Sequence, residues 1–204
     1  ARKPRAFVSG SAVGYYGPRG DEPLDESAAA GGDFLASVCR RWEEEARKAE
    51  PLGVRVVLVR TGVVLAKEGG ALPQMLPPFR AFVGGPIGSG KQWFPWIHID
   101  DEVSLLAWAL DADVRGPLNA AAPGAQTMEQ FCKALGRVLH RPSWAKVPAA
   151  ALRVFIGEFA TVLASGQRAV PARATQAGFR FRFEGSDAAL EDLLGAGESS
   201  GKSA

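Results

Sequence analysis

Apolar positions along this chain fall into short runs and helical stripes that alternate, a pattern that predicts an α/β fold. Residues 5–9, with Ala6-Phe7-Val8, read as a short strand. Between 33 and 50 the apolar residues Phe34, Leu35, Val38, Cys39, Trp42 and Ala46 recur at helical spacing among Glu and Arg. Asp33, following the flexible Gly31-Gly32, is placed to cap that helix. Val54 to Val59 is β-branched and almost wholly apolar, which suits a parallel strand covered on both faces. A strand–helix–strand unit of this length calls for a right-handed crossover.

Further along, Gly69 to Gly85 carries Met75, Leu76, Phe79 and Phe82 among three prolines and reads as a kinked helix or a structured loop. Gly88-Ser89-Gly90 is a turn between two short extended pieces, 85–87 and 93–99. Asp100 or Asp101 then caps a helix to about Ala112 with Val103, Leu106 and Leu110 on one face. Residues 116–121 read as a strand, and Thr127 with Gln130 forms a capping box ahead of Phe131, Leu135 and Val138. Residues 149–163 are helical and apolar on most sides. Phe179, Phe181 and Phe183 alternate with Arg180 and Arg182, a half-buried strand, and 188–194 is a last short helix.

Composition narrows the function classes. A hydrophobic content of 47% and a charged content of 23% are ordinary for a globular protein, and a net charge of +2 supplies no field for nucleic acid. Cys39 and Cys132, both at apolar helical positions, read as buried thiols in a reducing compartment. No apolar stretch reaches the ~20 residues of a membrane span and no signal-peptide pattern opens the chain, so the expected location is the cytoplasm.

Several glycine patterns imitate phosphate-binding loops and fail on context. Gly10-x-x-x-Gly14-x-x-Gly17 has too long a first gap for a dinucleotide fingerprint and runs into Pro18, where a helix N-terminus should receive the pyrophosphate. Gly85-x-x-x-x-Gly90-Lys91 has Gln92 where a magnesium-binding hydroxyl belongs, and Ala196-x-x-x-x-Gly201-Lys202-Ser203 has no helix behind it. No metal site is expected, because His98 and His140, the only histidines, lie at no ligand spacing from a cysteine. Ser11 with His98 lacks a G-x-S-x-G elbow. Trp93, Phe94 and Trp96 line a pocket or form an aromatic core strand. Tyr15 and Tyr16 are the only tyrosines, so chemistry that needs a phenol must use their loop.

Four blocks, 11–17 (SAVGYYG), 60–65 (RTGVVL), 84–90 (GGPIGSG) and 96–101 (WIHIDD), resemble in order and spacing the epimerase-like proteins of the extended short-chain dehydrogenase/reductase superfamily. A fifth, Gly166 to Pro171 followed by Gly178 to Phe181, resembles that family's own C-terminal domain. The resemblance implies an α/β fold: the C-terminal portion of a Rossmann-type doubly wound parallel sheet over 1–146, a small mostly helical domain over 147–195, and a flexible tail over 196–204. It implies NADP(H) or NAD(H) as cofactor, although the glycine-rich pyrophosphate unit and about three βα units, on the order of 90 residues, are not found here. A half-sheet of this kind would expose an unpaired edge. Ser9, Gly10 and Ser11 would border the nicotinamide ribose, while Gly62, Val63 and Val64 would contact the nicotinamide side by backbone. A small-molecule substrate, nucleotide-sugar-like, would meet Met75, Phe79, Trp93 and Trp96, and a homodimer stays open. Arg60 pairs with an anionic substrate or closes a strand end.

Related epimerases start the helix after the Ser-rich loop with Tyr-x-x-x-Lys, one turn apart, so that the cation eases the phenol's proton exchange. The matching positions here are Phe34 and Val38, which have neither proton nor charge to offer. Tyr16, or Tyr15, is then the phenol available to replace the lost acid, with Ser11 as its hydrogen-bond partner. The competing reading makes Tyr16 a packed loop aromatic whose hydroxyl is satisfied by backbone. Two functions follow: an oxidoreductase or sugar-nucleotide epimerase with a displaced acid, or a catalytically silent NADP(H)-binding or protein-binding module.

Overall fold

A computed structural model describes residues 3–146 and 166–195. Its central sheet holds three parallel strands in the order β1 (Ala6–Ala12), β3 (Arg55–Thr61), β6 (Gly116–Ala120). The β1–β3 connection runs through helix α1 (Phe34–Arg47), which lies on one face of the sheet, with Ala46 against Val56 and Leu58. The β3–β6 connection includes α3 (Ile99–Asp111) on the other face, where Leu105 and Ala109 meet Val57 and Val59. Helices on both sides explain why β3 is apolar at successive positions. Among the described strands, the other edge of β1 pairs with nothing.

Beside this sheet, β4 (Val63–Leu65) continues from β3 and pairs in parallel with β5 (Trp96–His98). Helix α2 (Leu72–Arg80) fills the 69–85 segment despite Pro77 and Pro78, and seats Leu72, Leu76 and Phe79 in the larger core cluster. Helix α4 (Met128–Val138) starts at the expected capping box, with Thr127 and Gln130 each bonding the other's backbone N–H. Strand β7 (Arg168–Ala169) pairs with β2 (Pro23–Leu24), α5 (Ala172–Gln176) follows, and α6 (Ser186–Leu194) packs on α4 through Ala189, Leu190 and Leu193. The helix expected over 149–163 and the tail over 196–204 lie outside the described residues.

Helix α4 buries Phe131 and Leu135 as expected, whereas the buried faces of α1 and α3 match the expected stripes only in part. Helix α1 buries Ala36, Cys39, Glu43 and Ala46, while Phe34 is 78% and Trp42 53% exposed. Helix α3 buries Asp101, Glu102, Leu105 and Ala109 and leaves Val103 and Leu110 exposed. Both helices bury charged side chains over the strand ends, so hydrophobicity alone misplaces their phase. The cap of α3 also differs: His98 Nδ1 accepts the Asp100 N–H at 3.1 Å, and Asp101 is used elsewhere. Asp101 accepts the backbone N–H groups of Arg182 and Phe183, at 2.8 and 2.9 Å. Residues 179–183 therefore form no strand, because a side chain takes ladder donors, although all three phenylalanines are buried as expected. Residues 85–87 likewise form no strand.

Candidate functional site

Ser11, Arg60 and Asn119 stand side by side across β1, β3 and β6, in register near the carboxyl ends of the strands. Parallel α/β sheets present their chemistry at this end. An arginine in an otherwise apolar buried strand needs a partner, and Glu43 from the third turn of α1 provides it. Arg60 Nε and one terminal nitrogen donate to the two Glu43 oxygens at 2.8 and 3.0 Å, and both side chains are almost fully buried. Ser11 donates to the same carboxylate at 2.9 Å.

The turn after β1 carries the tyrosines. A 3-10 turn over Val13–Tyr16 sends Tyr16 into the interior, where its hydroxyl donates to Asn119 Oδ1 at 2.6 Å and accepts from Arg60 at 3.0 Å. Burial pushes the Tyr16 phenol up to about 12, against the pull of Arg60 and Asn119. Arg60 stays firmly charged: burial opposes its charge, but Glu43 and Tyr16 outweigh that penalty. The Arg60 guanidinium also lies 3.4 Å from the centre of the half-buried Tyr15 ring, a cation–π contact.

Asn119 extends the network to the rest of the chain. Its amide donates to Leu24 O at 3.0 Å and Val170 O at 2.9 Å, and its backbone N–H donates to Glu26 at 2.9 Å. The other Glu26 oxygen accepts the Arg173 N–H at 3.1 Å, and burial raises the Glu26 carboxyl despite these bonds. Sequence reasoning missed Glu43, Asn119 and Glu26; the one signal pointing to them was an arginine with no partner in its own strand.

Each expected site residue has a definite place. Tyr16 and Ser11 have their hydroxyls committed to the buried network. Gly10 is exposed, with open space where a Cβ would stand, and Ser9 is half-buried beside it. Gly62 donates to Ala120 O at 2.9 Å and Val63 to Pro95 O at 2.6 Å, so those two N–H groups are already used. A Cβ at Gly62 would meet Pro95 O at 2.5 Å, which makes this glycine a packing requirement. Phe79 and Trp96 are core residues and Met75 packs at the core margin. Trp93 is half-buried, donates to Asp21 at 2.9 Å and lies under Arg168. Trp96 Nε1 and Gln126 Nε2 have no hydrogen-bond partner among the described residues and border a cleft too narrow for water.

Phe34 and Val38 stand on the carboxyl-end side of the sheet. Glu43 is level with Ser11 and Arg60, so a rise of 1.5 Å per residue carries Val38 roughly 7 Å and Phe34 roughly 13 Å past it. Gly14, in the turn after β1, packs against Leu35. Ser9 and Gly10 precede Ser11 in β1 and lie short of this overhang, and the open space at Gly10 is on the face of the strand that Val8 shares with α3. The Gly62 and Val63 N–H groups are already engaged within the chain. One further candidate, His98 with Asp100 and Asp192, has metal-like spacing, but Arg182 bridges both carboxylates and His98 Nδ1 already accepts the Asp100 backbone N–H.

A parallel sheet with helices on both faces and a polar row at the carboxyl ends is part of a Rossmann-type α/β fold. The chain is 47% identical over 193 residues to the Arabidopsis thaliana epimerase family protein SDR39U1 homolog, chloroplastic, covering 94% of this chain and 55% of that protein. It is 42% identical over 197 residues to the mouse epimerase family protein SDR39U1, covering 95% of this chain and 67% of the relative. The chain thus belongs to the epimerase family of the extended short-chain dehydrogenases/reductases and spans between about half and two thirds of these relatives' length. A crystal structure of human SDR39U1 (isoform 2) with NADPH superposes with a TM-score of 0.83 at 37% identity, over 93% of this chain and 65% of that one. Residues 147–193 match a domain of unknown function, DUF1731. No described helix is long and apolar enough to cross a membrane.

Proposed function

We propose that these residues form the nicotinamide-facing part of an NADP(H)-dependent epimerase-family protein, acting on a small molecule of the nucleotide-sugar class in the cytoplasm. The observation that carries this reading is the row of Ser11, Arg60 and Asn119 near the carboxyl ends of β1, β3 and β6, past which the amino-terminal turns of α1 overhang. The likeness to a human relative solved with NADPH supports it. A bound nicotinamide supplies hydride chemistry; Ser9 and Gly10 border its ribose and the Gly62–Val64 turn walls its side. Met75 and Trp93 reach the surface and belong to the substrate side, with Phe79 and Trp96 packed behind them.

Proton transfer is assigned away from Tyr16 and Ser11. A phenol that is fully buried and raised to about 12 is a poor proton donor near neutrality, and its two partners hold it in place. The pair therefore braces the strand ends on which the cofactor would rest. Phe34 and Val38 at the overhang favour a second reading, a binding module without turnover, because neither exchanges a proton.

Saturation-transfer NMR with NADPH tests the first reading. Transfer from the protein should be strongest to the nicotinamide protons and weakest to the adenine protons; a uniform or reversed pattern would overturn it. Where a polypeptide containing these residues shows turnover, Tyr16→Phe separates the roles: bracing predicts retained turnover with lower stability, and proton donation predicts lost turnover in a folded protein.

A further inference from the structure

Strand β1 has one open edge, and the backbone along it alternates regularly. Arg55 N–H donates to Arg5 O at 3.0 Å, and the parallel register runs from Ala6–Arg55 to Ala12–Thr61. Odd-numbered residues of β1 therefore turn their backbone groups toward β3, while Ala6, Val8 and Gly10 turn theirs outward. Among the described residues these outward groups meet no partner. Exposed edges are commonly guarded by lysine, proline or an inward charge, and Ala6–Ala12 (AFVSGSA) carries none of these.

The surface beside this edge is apolar. Helix α1 runs antiparallel to the strands, since Glu43 meets Ser11 near their carboxyl ends and Ala46 meets Val56 and Leu58 farther back. Ala36, Cys39, Glu43 and Ala46 are turned to the sheet. With a right-handed β1–α1–β3 crossover, steps of about 100° per residue then put Leu35, Val38 and Trp42 on the flank toward the open edge. Trp42 is 53% exposed, and Leu52, just past the helix, is 64% exposed. Phe7, on the same face of β1 as Ser11, is exposed as well.

We propose that this edge binds the same edge of a second copy of the chain, in a two-fold dimer whose sheet continues from one copy into the other. An axis at Ser9 pairs Val8 with Gly10 of the partner subunit, and Gly10 with Val8 of the partner subunit, so the outward groups of both residues are used. The pairing is complementary in shape. A Cβ at Gly10 would meet nothing within 4 Å, and the opposing valine occupies that space on the α3 face. The two α1 helices, each lying over β1 and β3, come about 10 Å apart, twice the strand spacing and the distance at which helices pack. They run antiparallel. Ser9 lies about 7 Å behind Ser11, the length of about four to five helical residues past Glu43, so the helices cross near Arg47. Arg47 is turned away from the crossing, to Glu43 and Glu50. Trp42 then faces Leu52 of the partner subunit, and Lys48 comes beside Glu45 of the partner subunit, which matches opposite charges. The inference does not rest on the nicotinamide reading.

Sedimentation equilibrium of the 204-residue chain should give a concentration-dependent mass that approaches twice 21.6 kDa. Ser9→Cys tests the axis. Residues opposed in a non-hydrogen-bonded pair have Cα atoms about 4.5 Å apart, within disulfide reach, so mild oxidation should link two chains. The parent chain, with its buried Cys39 and Cys132, should not link under the same conditions, nor should Arg41→Cys on the outer face of α1. Gly10→Pro removes an outward donor that an edge strand can spare, and Trp42→Glu charges the flank. Each should weaken association at least about tenfold with unchanged circular dichroism. Val83→Glu, at an exposed position after α2, should leave association as it is. A monomer at every concentration would overturn the proposal and leave the edge for a strand of another polypeptide. So would a Ser9→Cys chain that does not link, or association that neither Trp42→Glu nor Gly10→Pro weakens.

Discussion

Arg60 and Glu43 are joined through both carboxylate oxygens, 2.8 and 3.0 Å away, in a buried pair that ties the central strand to the helix above it. Removing one member leaves the other without its counter-charge in the interior, which costs about 3–5 kcal/mol. Glu43→Ala is therefore expected to lower the stability by that amount in urea denaturation. The double variant Glu43→Leu, Arg60→Met should recover most of the loss, because a buried pair is often matched by apolar residues of similar volume. A loss below about 1 kcal/mol for Glu43→Ala would mean that the pair is solvated.

Tyr16 offers a spectroscopic check. In a Tyr15→Phe variant it is the only tyrosine, so absorbance at ~295 nm reports it alone. The phenol should ionise with a midpoint near 12 instead of the ordinary 10. Its raised value means that the folded state holds the proton longer, so its contribution to stability is complete below pH 10 and is lost as pH rises toward 12. A midpoint near the ordinary value in folded protein would show that the hydroxyl is not buried in the network.

Glu102 behaves in the opposite sense at neutral pH. Burial raises its carboxyl, partly offset by the Thr61 hydroxyl at 2.9 Å, and its second oxygen has no partner among the described residues. A raised carboxyl favours folding below the ordinary value near 4.5, and that advantage disappears as pH rises through the folded-state value. Glu102→Gln should raise the thermal midpoint at neutral pH, and the gain should vanish in acid. An equal gain at both pH values would assign the effect to packing.

Asp101 holds the 179–194 region to the sheet domain by accepting two backbone N–H groups. Asp101→Ala leaves both donors unpaired, a cost of about 1–3 kcal/mol for each buried group. Hydrogen exchange at Arg182, Phe183 and α6 should accelerate, while exchange in β3 changes less. Uniform acceleration across the chain would show that the two parts open together.

Much of the fold was legible in the order of the residues. The β-branched run ending at Val59 could only be a covered strand, and Asp33, Thr127 and Gln130 act as the caps their spacing announced. The faces of α1 and α3 were not legible, because each turns a carboxylate inward: Glu43 to Arg60, Asp101 to two backbone donors. Those bonds span long stretches of sequence, and a helical period counts only apolar residues. Tyr16 was legible as a packed loop aromatic, but its hydroxyl meets the side chains of Asn119 and Arg60 and not backbone, and those partners lie too far along the chain to be read from the loop.

Asn119 binds the sheet, the 17–33 excursion and the stretch beginning at Val170 with a single side chain and its own peptide nitrogen. Three pieces of polypeptide far apart in sequence thus share one fastener. Loosening it would free all of them at once, so this corner of the molecule should melt as a unit and not fray strand by strand.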